Sequence, residues 1–135
     1  MTTWTRAAAA ALTLGAIGAV GLSASPADAA WTTNPGLHNA VVYVCKAPHA
    51  NGTVTIKIKL DARKSAKWSS VGVSLMNAAG TQEVRGISAR AQAGTVSPVK
   101  QITVPTRTKD RLSIGVSDAQ GGMGGALMLG STAHC

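Results

Sequence analysis

Residues 53–60, Thr-Val-Thr-Ile-Lys-Ile-Lys-Leu, constrain the fold more than any other stretch of this chain. Val54, Ile56, Ile58 and Leu60 alternate without a break with Thr53, Thr55, Lys57 and Lys59. A period of two puts successive side chains on opposite faces of a pleated strand, one packed and one wet. The strand runs straight into Asp61-Ala62-Arg63-Lys64-Ser65-Ala66-Lys67-Trp68, so the apolar face and the densest positive charge of the chain meet here.

Other segments carry the same period. Val41 to Cys45 is apolar on both faces, as expected of a strand covered on both sides or of an inner strand whose outer face meets the terminal segments. Val71, Val73 and Leu75 alternate, and so do Leu112, Ile114 and Val116. Residues 81–89 read as a further strand, with Val84 and Ile87 out of phase and a bulge expected at Gly86. Residues 96–104 give a weaker strand that Pro98 assigns to a sheet edge. The last strand is expected near 126–130, after a flexible hairpin loop at Gly121-Gly122-Met123-Gly124-Gly125. Asn34-Pro35-Gly36, Asn51-Gly52 and Asn77-Ala78-Ala79-Gly80 mark turns, and residues 30–39 read as a polar lead-in. About seven short strands separated by Gly, Pro and Asn predict an all-β, single-domain antiparallel sandwich, immunoglobulin-like or similar.

Residues 1–29 read as a cleaved signal peptide: Arg6, an apolar run from Ala7 to Leu22, then Ala27-Asp28-Ala29 as the cleavage pattern. The expected secreted domain is 30–135, with no cysteine placed to take a lipid and no apolar tail, hence no membrane anchor. This organisation implies bacterial export to the extracellular space. Removing Arg6 and Asp28 leaves the net charge at +8. Such a field favours encounters with polyanions and weakens with salt. Cys45 and Cys135 make one even pair, which in an oxidising compartment predicts a disulfide; a catalytic thiol and an intermolecular bridge are the rival readings.

Catalysis finds little support. The acids of the mature chain, Asp61, Glu83, Asp110 and Asp118, lie in or beside expected turns next to basic residues or glycine. His38, His49 and His134 are far apart, without the close spacing of metal ligands, and no Gly-x-Ser-x-Gly elbow is present. The glycine run lacks the lysine and the following helix of a phosphate loop. No catalytic residue, metal or cofactor is expected, and the chain reads as a non-enzyme.

The basic stretch is the candidate binding site. With the apolar residues of 53–60 turned inward, Lys57 and Lys59 turn outward, and Arg63, Lys64, Lys67 and Trp68 follow. A second basic loop, 105–111, carries Arg107, Lys109 and Arg111. The first reading is a secreted binding protein whose partner is an anionic cell-wall or extracellular polymer, with no specific nucleic-acid recognition because the aromatic platforms of such readers are missing. Against it stands a solvated lysine face that only discourages edge pairing. The same chain could instead be an inhibitor of an extracellular protein, acting through loop 46–52 or 118–125, or a small hydrolase.

Overall fold

The computed structural model describes residues 30–135, so the expected signal peptide lies outside the described residues. These residues form eight strands in two antiparallel sheets, an all-β sandwich. The first sheet has the order β1 (Thr32–Pro35), β2 (Val41–Pro48), β3 (Thr53–Asp61), β6 (Lys100–Pro105). The second has the order β5 (Glu83–Ala91), β4 (Ser69–Met76), β7 (Leu112–Asp118), β8 (Gly121–Ala126). With β1 as an added edge strand, the order β2-β3-β6 against β5-β4-β7-β8 follows the pairing of an immunoglobulin-like sandwich, A-B-E against C′-C-F-G. Among the described residues no helix is long and apolar enough to cross a membrane.

The alternation of β3 sets the core. Ile56, Ile58 and Leu60 are fully buried, and their cross-strand partners Ile102 on β6 and Val44 and Val42 on β2 share the inward face. Val71 and Val73 of β4 and Leu112 and Val116 of β7 oppose them from the second sheet. Full burial of each such side chain contributes about 1.5–3 kcal/mol. Over β4, β7 and β8 the outward face of the second sheet is made of small residues, Ser70, Gly72 and Ser74 on β4, Ser113, Gly115 and Ser117 on β7, Gly122 and Gly124 on β8, while β5 adds Arg90 beside Ser70.

Strand β2 is apolar on both faces because both ends of the described chain cover it. Tyr43 packs edge-on against Trp31, with ring centroids 6.3 Å apart, and Cys45 bonds to Cys135 with their Cα atoms 5.1 Å apart. The C-terminal segment also pairs with β2 through its backbone, Lys46 N donating to Ala133 O and Cys135 N to Lys46 O. A cross-link spanning 90 residues removes chain entropy from the unfolded state and contributes on the order of 4–5 kcal/mol.

Several boundaries differ from expectation. The lead-in contains β1, which pairs with 41–44 of β2 after a turn in which His38 and Asn39 take left-handed φ of 54° and 67°. Its sequence has no apolar phase, so the edge of β2 defines it. The bulge falls at Val84 rather than Gly86: Leu75 faces Arg85 and Met76 faces Glu83, leaving Val84 as the extra residue. Strand β6 starts after Pro98 and does lie at a sheet edge. The glycine run, expected to be a loop, is β8, and 129–131 is a short 3₁₀ turn in place of the expected last strand.

The glycines of β8 are there for close approach. A Cβ on Gly122 would fall 2.5 Å from the carbonyl oxygen of Val116, and one on Gly124 would fall 2.8 Å from that of Ile114. Gly130 has open space around it. Gly122→Ala is therefore expected to destabilise the fold by about 1–3 kcal/mol, while Gly130→Ala stays within about 0.5 kcal/mol of wild type. Urea unfolding checks this, and equal midpoints for the two variants would contradict the packing of β8 on β7.

Candidate functional site

The outward face of the first sheet is built by the same alternation that builds the core. Turning Ile56, Ile58 and Leu60 inward leaves Lys57, Lys59 and Asp61 facing out, opposite Cys45, Tyr43 and Val41 of β2. The Lys59 ammonium lies 4.7 Å from the ring centre of Trp31 and 4.9 Å from that of Tyr43. The cation gathers the two rings onto the sheet, each contact worth about 0.5–1 kcal/mol at a partly exposed site.

At the end of β3 the chain makes an Asx-type turn. Asp61 accepts from the backbone N of Arg63 at 3.0 Å and forms a forked pair with its guanidinium, Nε to Oδ1 at 3.0 Å and Nη2 to Oδ2 at 2.6 Å. The side-chain bond from Arg63 is the main cause that lowers the Asp61 pKa to about 2, and the backbone bond from the same residue adds to it. Beside this pair is a surface hollow of about 420 Å³ lined by Asn39, Val41, Tyr43, Asp61, Arg63 and Lys64. A hollow with an aromatic wall, two cations and a fixed carboxylate can take a polar ring against Tyr43 while Lys64 and Arg63 meet an acidic group.

Four of the six residues expected from the sequence, Lys57, Lys59, Arg63 and Lys64, therefore share one face. Lys67 and Trp68 do not join them. After Ala62 the chain turns, with Ser65 N donating to Ala62 O and Ser65 Oγ to Lys67 O, and crosses to the second sheet. Trp68, just before β4, stacks on Arg90, whose guanidinium carbon is 3.9 Å from the ring centre. Trp31 and Tyr43 are the site residues that sequence reasoning missed. Tyr43 is visible as the aromatic in the outward phase of β2, whereas Trp31 has no local signal and is placed by its long-range contacts with Tyr43 and Lys59.

The second basic loop is a 3₁₀ helix, Thr106–Arg111, at the other end of the sandwich. It follows Pro105, which pairs with Thr53 at the start of β3, and Thr106 N donates to Gly52 O. The length of β3, roughly 25 Å, separates it from Arg63. The two basic segments thus form two patches.

Two histidines acquire partners through folding. His38 Nε2 meets Asp118 Oδ2 at 2.5 Å and ties the β1–β2 turn to the β7–β8 turn. That bond, with the backbone N–H of Gln120, holds the Asp118 carboxyl below its ordinary range. His49 Nε2 bonds Thr55 Oγ1 at 2.9 Å, and Thr55 Oγ1 bonds Thr103 Oγ1 at 2.7 Å. Among the described residues no group of three His, Cys, Asp or Glu side chains could hold a metal ion. The loops offered for an inhibitor shrink: β2 extends to Pro48, leaving a tight turn closed by His49 N to Thr53 O, and most of 118–125 is strand.

Compared with protein-family models, curated proteins and solved structures, the chain matches none of them.

The Asp61–Arg63 fork is expected to keep the Asp61 carboxyl ionised down to about pH 2, against an ordinary value of 3.8. Because the folded value is depressed, the pair's stabilisation is complete above pH 3.8 and is lost as the pH falls through about 2. Carbon-detected NMR titration of Asp61 should return its midpoint toward 3.8 in Arg63→Gln. A wild-type midpoint already at 3.8 would show that the fork does not persist in solution.

Proposed function

We propose that this chain is a non-enzymatic, exported binding protein that holds an acidic cell-wall or extracellular polymer on the outward face of its first sheet. The observation that carries the reading is the grouping of Lys57, Lys59, Arg63 and Lys64 with Trp31 and Tyr43 on one face, while the opposite face of the sandwich is serine and glycine over β4, β7 and β8, with Arg90 and Trp68 at its β5 side. The partner is a polymer rather than a single anion because the cations extend along β3 from Lys57 into the turn beyond Asp61.

Charge brings the partner in and spaced contacts hold it. Lys57 and Lys64 supply point charges, the paired Arg63 offers its remaining donors, and the hollow beside Tyr43 accepts one polar ring of the polymer. Lys59 acts mainly by fixing the two rings. Each exposed contact is weak, so affinity comes from several at once and falls with salt. Export is supported by the leader pattern at 1–29 and by the Cys45–Cys135 disulfide, which an oxidising compartment favours.

The double variant Lys57→Gln/Lys64→Gln is expected to elute from a sulfated-polysaccharide column at markedly lower salt than wild type. Its slope of log affinity against log salt should fall by roughly one for each cation removed. Arg107→Gln/Lys109→Gln, at the other end of the sandwich, should elute close to wild type. Equal losses for the two double variants would reduce the binding to net charge and overturn the assignment of the face.

A further inference from the structure

The sandwich is closed on one side and open on the other. Along β5 and β6 the sheets are joined by Arg85, whose Nη1 donates to Thr103 O at 3.1 Å. Along β1 and β8 they part, leaving a cleft of about 430 Å³ that reaches the core. Val42 and Val44 form its floor on the first sheet, Ile114 and Val116 on the second, and Leu127 and Met123 close the sides. Its volume lies within the range of about 300–1,000 Å³ that small-molecule sites occupy.

We propose that this cleft binds a small, uncharged, predominantly apolar molecule. Charge selects the occupant: the chain carries a net charge of +8, yet no residue lining the cleft is ionisable, and its polar groups are hydroxyls of Thr32, Ser131 and Thr132 and the Asn34 amide at the rim. An ion would lose its hydration there without a compensating partner.

The glycines of β8 show that the space is kept open. Gly122 and Gly124 face outward, where the β7 backbone leaves no room for a side chain. Gly125 faces the cleft opposite Ile114, and a Cβ built on it meets nothing within 4 Å. Close approach to β7 therefore accounts for the outward pair and not for Gly125, where an apolar side chain would fill the cleft and enlarge a modest core. Met123 and Met128 stand at the mouth 66% and 67% exposed, flexible side chains able to close over an apolar guest.

Both ends of the cleft are fixed, so it does not depend on a ligand to form. Beyond β1 and β7 the turns are tied by His38 and Asp118. At the other end Ala133 N donates to Thr32 Oγ1 at 2.7 Å, and Lys46 Nζ bonds Leu129 O. A preformed site spends less of its binding free energy on ordering. The cleft and the cationic face share no side chain, so the two binding activities should be separable.

The test uses the oxidised protein and the uncharged fluorophore N-phenyl-1-naphthylamine. Saturable one-to-one binding with enhanced emission is expected, together with NMR shifts of the methyl groups of Val42, Val44, Ile114, Val116 and Leu127. Gly125→Leu should weaken the affinity at least tenfold while the melting temperature holds or rises, and Lys57→Gln/Lys64→Gln should leave it unchanged. Methyl shifts located elsewhere, or affinity unaltered by Gly125→Leu, would overturn the proposal. If Gly125→Leu fails to fold, the wild-type methyl map decides alone. Sedimentation as a dimer that the fluorophore does not dissociate would assign the cleft to a second copy of the chain and also overturn it.

Discussion

The fold depends on one strand having two different faces. β3 is flanked on both sides, by β2 and β6, and it supplies Ile56, Ile58 and Leu60 to the centre of the core. A slip of one residue would bury Lys57 and Lys59 and expose all three, so burial fixes the register. The same constraint aims the lysines at solvent and sets Lys59 over Tyr43 and Trp31. Core and candidate site are two consequences of one alternation, and a change that disturbs either face of β3 reaches the other.

The second constraint lies at the termini. With so few aromatic residues, a core of Val, Ile, Leu and Ala is modest for a small domain, and the chain compensates by closing both described ends on the free side of β2. Trp31 covers Tyr43, Cys135 is bonded to Cys45, and the backbone of the C-terminal segment continues the pairing of β2 past the end of β1. These closures hold the β1 side of the sandwich in place while leaving the sheets parted there. The cleft follows from edges held by clasps rather than by packing.

The sequence displays whatever a local period can carry. Residues 53–60 read as a strand, and β3 extends that span by one residue; Leu112, Ile114 and Val116 mark β7 equally well. β1 is hidden because Thr32–Pro35 has no apolar phase and is made a strand by its partner. β8 is hidden because glycines carry no pattern, and its pairing rests on how closely two backbones can approach. At the candidate site, phase places Lys57 and Lys59 correctly, and nearness in sequence carries Arg63 and Lys64 with them. The same nearness misleads at Lys67 and Trp68, since the crossing between sheets falls within six residues of Arg63 and leaves no mark in the pattern. The opposed positions of the two basic segments follow from topology, which one sequence does not display.

If one face, and not the overall charge, does the binding, the contacts must map to that face. Titration of the ¹⁵N-labelled protein with a short acidic oligosaccharide, following each amide and the tryptophan indoles, reads this residue by residue. Shifts should concentrate at Tyr43, Lys57, Lys59, Arg63 and Lys64 and at the Trp31 indole, with the Trp68 indole nearly still. Shifts centred on Arg107, Lys109 and Arg111, or spread evenly over every cation of the chain, would contradict binding by the first sheet.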